Sequence, residues 1–202
     1  MEEKRTLRSA VREAREARAA RVPRAARDAD AAAHDDAAAL TAQLARLTQE
    51  LGASRVTCFV SVKGEPDTAG YLAWALEHGV EVLLPRVLPG GRLEWAAHAA
   101  GAFTPGAFGI PEPTGPAIPD GPANCELLLI PAAAVDRAGT RLGWGRGYFD
   151  RELSRLPAAG GASGSSVFAV VWEDEVYEHL PAEAHDVPVL GAVTEERIHR
   201  FG

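Results

Sequence analysis

Residues 126–131 read Glu126-Leu127-Leu128-Leu129-Ile130-Pro131, a strand-length run with four large aliphatic side chains in succession. A strand with one wet face alternates apolar and polar residues, so an unbroken apolar run marks a strand covered on both faces. Working outward, the same β-branched, aromatic and aliphatic character recurs in Arg55 to Val62, Val80 to Arg86, Ser166 to Trp172 and Val187 to Val193, with a further strand expected from Arg92 to Ala97. Helix patterns lie between and before them. One runs from about Thr68 to His78, and another opens after Gly147. Glu2 to Val22 is dominated by Ala, Arg and Glu and is punctuated by Pro23. A second long helix is expected from about Arg24 to Leu51, with Leu40, Leu44, Leu47 and Leu51 as its apolar stripe. Alternating strands and helices of this kind predict an α/β fold: a mostly parallel open sheet flanked by helices in a Rossmann-like three-layer arrangement, preceded by an N-terminal helical segment. Ligands of such sheets bind at the carboxyl ends of strands, which brings the loop from Lys63 to Asp67 toward a glycine-rich loop further on.

That second loop lies in Asp136–Arg151, which reads DRAGTRLGWGRGYFDR. Gly143, Gly145 and Gly147 let the backbone take positive φ and let a ligand approach, so that successive N–H groups converge on phosphate oxygens. Arg141 and Arg146 add forked donors beside that cradle. The helix opening at Tyr148 directs its positive end at an anion, and Asp150 is placed to hold a magnesium ion against phosphates. The spacing is neither that of a P-loop nor that of a dinucleotide fingerprint, and a purely structural glycine turn is the competing reading.

Size and charge narrow the classes. At 202 residues and 47% hydrophobic content, one domain spanning 1–202 is expected. The net charge of -7 argues against nucleic acid as a partner, although residues 1–27 carry a local excess of five positive charges. No run approaches a membrane span and no secretory signal is evident, which predicts a cytoplasmic protein without membrane association; a monomer is expected. Cys58 and Cys125 show no metal or redox spacing and read as buried free thiols. The six histidines form no triad or metal pattern, and neither a serine elbow nor an HExxH motif occurs.

On a helix, Lys4, Arg8, Arg12 and Arg15 fall within about 80° of one another. Arg12, Arg15 and Arg18 read as a solvated face with glutamate partners. Glu65 and Asp67 follow the first strand, where their carboxylates can accept hydrogen bonds from the amino and ring N–H groups of a ligand, or where Asp67 and Thr68 simply cap a helix. Phe108, Tyr148 and Phe149 offer flat faces for an aromatic ring or belong to the core. Asp186 is either a second carboxylate for a cation or a capping residue in a turn flanked by proline.

Taken in order, Lys4-x-x-Leu7-Arg8, Ser61 to Thr68, Leu84-Pro85-Arg86, Gly109-Ile110-Pro111-Glu112-Pro113, Arg141-Leu142-Gly143-x-Gly145-x-Gly147-Tyr148-Phe149-Asp150-Arg151 and His185-Asp186 resemble the 5-formyltetrahydrofolate cyclo-ligase family nearly end to end. The resemblance implies ATP binding by Lys4, Arg8, Arg141, Leu142, Gly143, Trp144, Gly145, Arg146, Gly147, Tyr148 and Phe149. It implies folate binding by Val62, Glu65, Asp67, Phe108, Tyr148 and Phe149, and Mg²⁺ held by Asp150 and Asp186. Arg141, Arg146 and Tyr148 are implied as catalytic. The implied reaction is the Mg-ATP-dependent conversion of 5-formyltetrahydrofolate to 5,10-methenyltetrahydrofolate. Departures from the family pattern are Asp67 where many relatives have Glu, Phe108 where some have Trp, and Val189-Leu190 where a Val-Asp pair is frequent. A non-cyclising folate or nucleotide binder, and an isomerase or CoA-transferase on a related scaffold, are the alternatives.

Overall fold

The computed structural model describes residues 2–21, 28–62, 64–156, 164–183 and 186–202, with the side chains of residues 21, 28–34 and 108 outside that description. Pro23, the start expected for the second helix, Lys63, most of the glycine-serine connection at 160–165 and His185 therefore lie outside the described residues. The chain opens with α1 (Glu2–Arg21) and α2 (Asp28–Glu50), followed by β1 (Arg55–Thr57), α3 (Ala69–Glu77), β2 (Glu81–Leu88) and β3 (Arg92–Ala97). A small hairpin, β4 (Phe103–Pro105) with β5 (Pro111–Pro113), precedes β6 (Leu127–Pro131), β7 (Ala134–Asp136), β8 (Arg141–Leu142) and α4 (Tyr148–Leu153). The last elements are β9 (Ser166–Val170), β10 (Val176–Tyr177), β11 (Gly191–Val193) and β12 (Ile198–Arg200).

Among the described residues, the main sheet has seven strands in the order β12-β11-β9-β6-β1-β2-β3. The five inner strands run parallel, and each edge is closed by an antiparallel partner, β3 on β2 and β12 on β11. The expected α/β sheet is therefore present, and the apolar run at 127–131 occupies its centre.

Alternation along β6 explains why that run has no polar side chain. Leu127 and Leu129 enter the cluster built with Leu40, Leu44 and Leu47 of α2 and Tyr71 and Leu72 of α3. Leu128 and Ile130 enter the opposite cluster with Trp95, Leu153 of α4 and Val189. The two faces are unequally clad, one by the 23-residue α2 with nine-residue α3 and the other by six-residue α4 and irregular chain. A third cluster, of Val11, Ala133, Ala134, Leu142 and Leu180, docks α1 on a three-stranded sheet ordered β10-β7-β8.

β9 stops two residues early and β6 begins one late, while two other strands are much shorter than expected, for identifiable reasons. The run from Arg55 leaves the ladder after Thr57, because the Thr68 hydroxyl takes over, donating to the Phe59 carbonyl at 2.7 Å and accepting from the Ser61 amide at 3.3 Å. At the C-terminal end only Gly191–Val193 pairs as a strand, after Pro188, which has no N–H to contribute to a ladder. The small strands β7, β8 and β10 were not anticipated; they extend the carboxyl end of β6 toward the glycine loop.

Candidate active site

The loop after β1 and the glycine loop after β8 face one cavity of about 750 Å³. Its walls include Val62, Glu65, Trp144, Arg146, Tyr148 and Phe149, together with Arg12 and Arg15 from α1. An adjoining hollow of about 270 Å³ is lined by Lys4, Arg8, Gly145, Glu183 and Asp186. Arg141, Gly143, Gly147 and Asp150 line both, so the glycine loop forms the partition between two compartments.

Local chemistry builds this partition. Gly147 is the N-cap of α4 at φ 66°, and Gly145 sits at φ 88° with the Arg8 guanidinium carbon 3.6 Å from where a Cβ would stand. Both positions therefore need glycine. Gly143 is not in the left-handed region; its Cβ would stand 3.0 Å from Arg141 Nη1, so close approach is its requirement. Arg8 Nε donates to the Gly143 carbonyl at 2.7 Å, and Arg141 donates to Asp150.

A model of the 5-formyltetrahydrofolate cyclo-ligase family matches residues 1–195. The chain belongs to that family. The 5-formyltetrahydrofolate cyclo-ligase of Mycolicibacterium smegmatis is 36% identical over 151 residues, covering 70% of this chain and 74% of the relative. The Escherichia coli K12 protein of the same name is 27% identical over 150 residues, covering 72% of this chain and 80% of its own. Among solved structures, the 5,10-methenyltetrahydrofolate synthetase of Aquifex aeolicus superposes with a TM-score of 0.75 at 27% identity, covering 98% of this chain and 92% of that one. The Mycoplasma pneumoniae synthetase, at 16% identity and a TM-score of 0.68 over 96% of this chain and 99% of its own, shares the fold.

Placed in this cyclo-ligase fold, the residues singled out from the sequence divide into three groups. Lys4, Arg8, Arg141, Asp150 and Asp186 converge on the smaller hollow, where Lys4 Nζ donates to Asp186 Oδ2 at 2.8 Å and lies 3.2 Å from Glu183 Oε2. Val62, Glu65, Trp144, Arg146, Tyr148 and Phe149 line the larger cavity and not the smaller one, which separates Arg146 from Lys4 and Arg8. Asp67 belongs to neither lining set. Its Oδ1 accepts the Ala69 amide at 2.9 Å and the Ser61 hydroxyl at 3.3 Å, tying down the start of α3. The Phe108 side chain lies outside the described residues, while its neighbours Ala107 and Ile110 line the larger cavity.

Burial sets the electrostatics. The Glu65 carboxyl is pushed above its ordinary range by burial, opposed by the Val62 amide at 3.0 Å and by the charge of Arg15. Burial pulls Arg141 down, against the pull of Asp150 and Asp186. At Lys4 burial acts downward too, but hydrogen bonds and charges from Asp186 and Glu183 outweigh it and raise the ammonium. Among the described residues no group of three or more His, Cys, Asp or Glu could hold a metal unaided. Two hard carboxylates facing one hollow, Asp150 and Asp186, nonetheless suit a magnesium ion that takes its other ligands from phosphate and water.

Arg15 departs from the solvated face expected of it. It is only 5% exposed, with Nε 2.6 Å from Glu175 Oε1 and Nη2 2.7 Å from Glu175 Oε2 and 2.8 Å from the Ala132 carbonyl. Its guanidinium lies 5.0 Å from the Trp144 ring centre, and Arg18 sits 4.5 Å over Trp172. The spacing Lys4, Arg8, Val11, Arg15, Arg18 was the available signal, since an apolar residue among the cations marks a face that docks.

Proposed function

We propose that the chain catalyses the Mg-ATP-dependent cyclisation of 5-formyltetrahydrofolate to 5,10-methenyltetrahydrofolate, with release of ADP and phosphate. The observation that carries this reading is the pair of compartments sharing Arg141, Gly143, Gly147 and Asp150. A reaction that moves a phosphoryl group directly from nucleotide to folate needs the two ligands to meet at one anion-binding loop. The larger cavity, with Glu65 and the aromatic pair of α4 in its wall, suits the folate; the smaller hollow, where Lys4, Arg8 and Arg141 stand among Asp150, Glu183 and Asp186, suits nucleotide phosphates carrying a magnesium ion.

In this reading the formyl oxygen attacks the γ-phosphorus and ADP leaves, giving a phosphorylated formyl group on N5. N10 then attacks the formyl carbon, the C–O bond breaks, phosphate departs, and the N10 proton is released. The protein supplies alignment and charge rather than a nucleophile. Lys4, Arg8 and Arg141 neutralise the phosphates, the amides of Gly143 to Gly147 orient them, and Arg146 and Tyr148 face the reacting carbon from the folate side. Asp150 and Asp186 would hold magnesium, which supplies charge neutralisation on the transferring group. Glu65 accepts hydrogen bonds from the pterin, with Val62, Phe108 and Phe149 along its rings; Asp67 contributes through the loop it pins. We take the unit of function to be a monomer acting as one domain, and its two free buried thiols suit the cytoplasm.

The test is an absorbance assay of purified protein with 5-formyltetrahydrofolate, magnesium and ATP, following the methenyl product in the near ultraviolet. A rise that disappears when ATP is omitted is expected. A flat trace from folded protein that binds both ligands would overturn catalysis in favour of a binding role.

A further inference from the structure

Both carboxylates proposed for magnesium are engaged by cations of the protein itself. Asp186 Oδ2 accepts from Lys4 Nζ at 2.8 Å and from the Glu183 amide at 2.8 Å, and Asp150 accepts from Arg141. Glu183 Oε2 lies 3.2 Å from the same ammonium. The charged residues lining the smaller hollow are Lys4, Arg8 and Arg141 against Asp150, Glu183 and Asp186, so their formal charges cancel. Lys4 is 7% exposed, and its ammonium therefore depends on these carboxylates in place of water.

A bare magnesium ion gains little in such a place. It dehydrates reluctantly, and one or two carboxylates hold it when phosphate oxygens fill out its shell. To reach Asp186 it has to compete with an ammonium already hydrogen-bonded to that carboxylate. Nucleotide phosphates change the balance, because they add negative charge to the hollow and offer Lys4 another anion. Lysine is suited to such an exchange, since its ammonium is a compact charge with three rotatable donors on a flexible stem. Arg141 is held differently: its side chain is 3% exposed and packed against Gly143, where a Cβ would stand 3.0 Å from Nη1.

We infer that Lys4 is a lock on Asp186: it holds that carboxylate until nucleotide phosphates draw the ammonium away, so the hollow takes up magnesium together with nucleotide and not before it. The inference rests on the magnesium and nucleotide reading above. It makes Lys4 a positioning residue for the metal as well as a phosphate contact. Removing Lys4 should then weaken the hold on nucleotide and strengthen the hold on bare metal, whereas a lysine that only binds phosphate predicts the first effect alone.

The experiment follows Mn²⁺, standing in for magnesium, by the loss of its free-ion electron spin resonance signal when purified protein is added without nucleotide. Wild type is expected to bind it weakly. Lys4→Met and Lys4→Gln should each bind it about tenfold to a hundredfold more tightly, the worth of one hydrogen bond to a charged group, and adding Asp186→Asn to Lys4→Met should remove the gain. Arg8→Gln is the control for charge alone: it takes one cation from the same hollow, but Arg8 Nε donates to the Gly143 carbonyl and not to a carboxylate, so its gain should be several times smaller. An equal gain in Arg8→Gln, or no gain in folded Lys4 variants, would overturn the lock. Tight Mn²⁺ binding by wild type without nucleotide would overturn it with no variant needed. Calorimetric titration of wild type with a non-hydrolysable ATP analogue, with and without Mn²⁺, separates this from the reading beneath it. Equal affinity in the two titrations would overturn the magnesium assignment and the inference with it; tighter binding with Mn²⁺, beside Lys4 variants that gain nothing, would overturn the lock alone.

Discussion

At Asp150 two demands meet on one carboxylate. Its side chain is one-third exposed while that of its partner Arg141 is 3% exposed, so Asp150→Asn removes a proposed magnesium ligand and also strands a buried guanidinium. Turnover should fall by about 10² to 10³, the usual loss on removing one electrostatic contributor. Unlike a purely catalytic substitution, it should also cost ~1–3 kcal/mol of stability, less than a fully buried pair because Asp150 is partly wet. Urea unfolding beside the activity assay separates the two, and full activity in the folded variant would remove Asp150 from the magnesium site. Glu65 yields a different signature. Burial raises its native pKa above the unfolded value of about 4.3. The native state then holds the proton more tightly, so stability is lost as pH rises from the unfolded toward the native value, and the loss persists above it. Glu65→Gln should abolish that loss, gaining on wild type with rising pH in urea melts between acid and neutral solution; parallel curves would show that the buried carboxyl costs nothing.

Among the elements, α1 carries the heaviest share of the site, since Lys4, Arg8 and Arg15 all project from it. Lys4→Ala should raise the ATP requirement about tenfold, the loss of one charge-assisted contact, with a smaller effect on kcat. An unchanged KM for ATP would take Lys4 out of the proposed nucleotide site. How much of this was readable in advance differs from element to element. The core strands were legible because burial on both faces leaves a continuous apolar run, and the leucine stripe of α2 was legible because one helical face is dry. Thr68 ending the β1 ladder was not, since a hydroxyl reaching back to Phe59 leaves no local pattern. Strands β7, β8 and β10 are two or three residues long, below any period that a sequence can display. The glycine loop, Glu65, Asp150 and Asp186 were found through motif order, and their meeting follows from strand direction. Arg15 was missed because nothing near it in the chain reveals Glu175, the carboxylate that buries it.

For the molecule as a whole, the centre of the sheet is the stability reserve on which this site draws. Leu129 is fully buried where α2 and α3 press on β6. Leu129→Ala should cost about 2–5 kcal/mol, read as a lower denaturant midpoint, while ligand affinity of the remaining folded protein stays as before. Loss of affinity at full stability would mean that the core shapes the cavity directly. With an antiparallel strand at each edge, the parallel centre is shielded on both flanks, and the candidate site gathers at its carboxyl end from loops, α1 and α4.

The contact between Lys4 and Asp186 spans nearly the entire chain. During synthesis α1 leaves the ribosome well before its partners at 132–186. Its face is mostly charged, with Leu7 and Val11 as its main apolar contacts to the body, so it can wait in water at little risk of sticking to the wrong surface. The helix therefore waits for the surface on which it docks, and a chain made only as far as β9 lacks one wall of the hollow proposed here for the nucleotide phosphates.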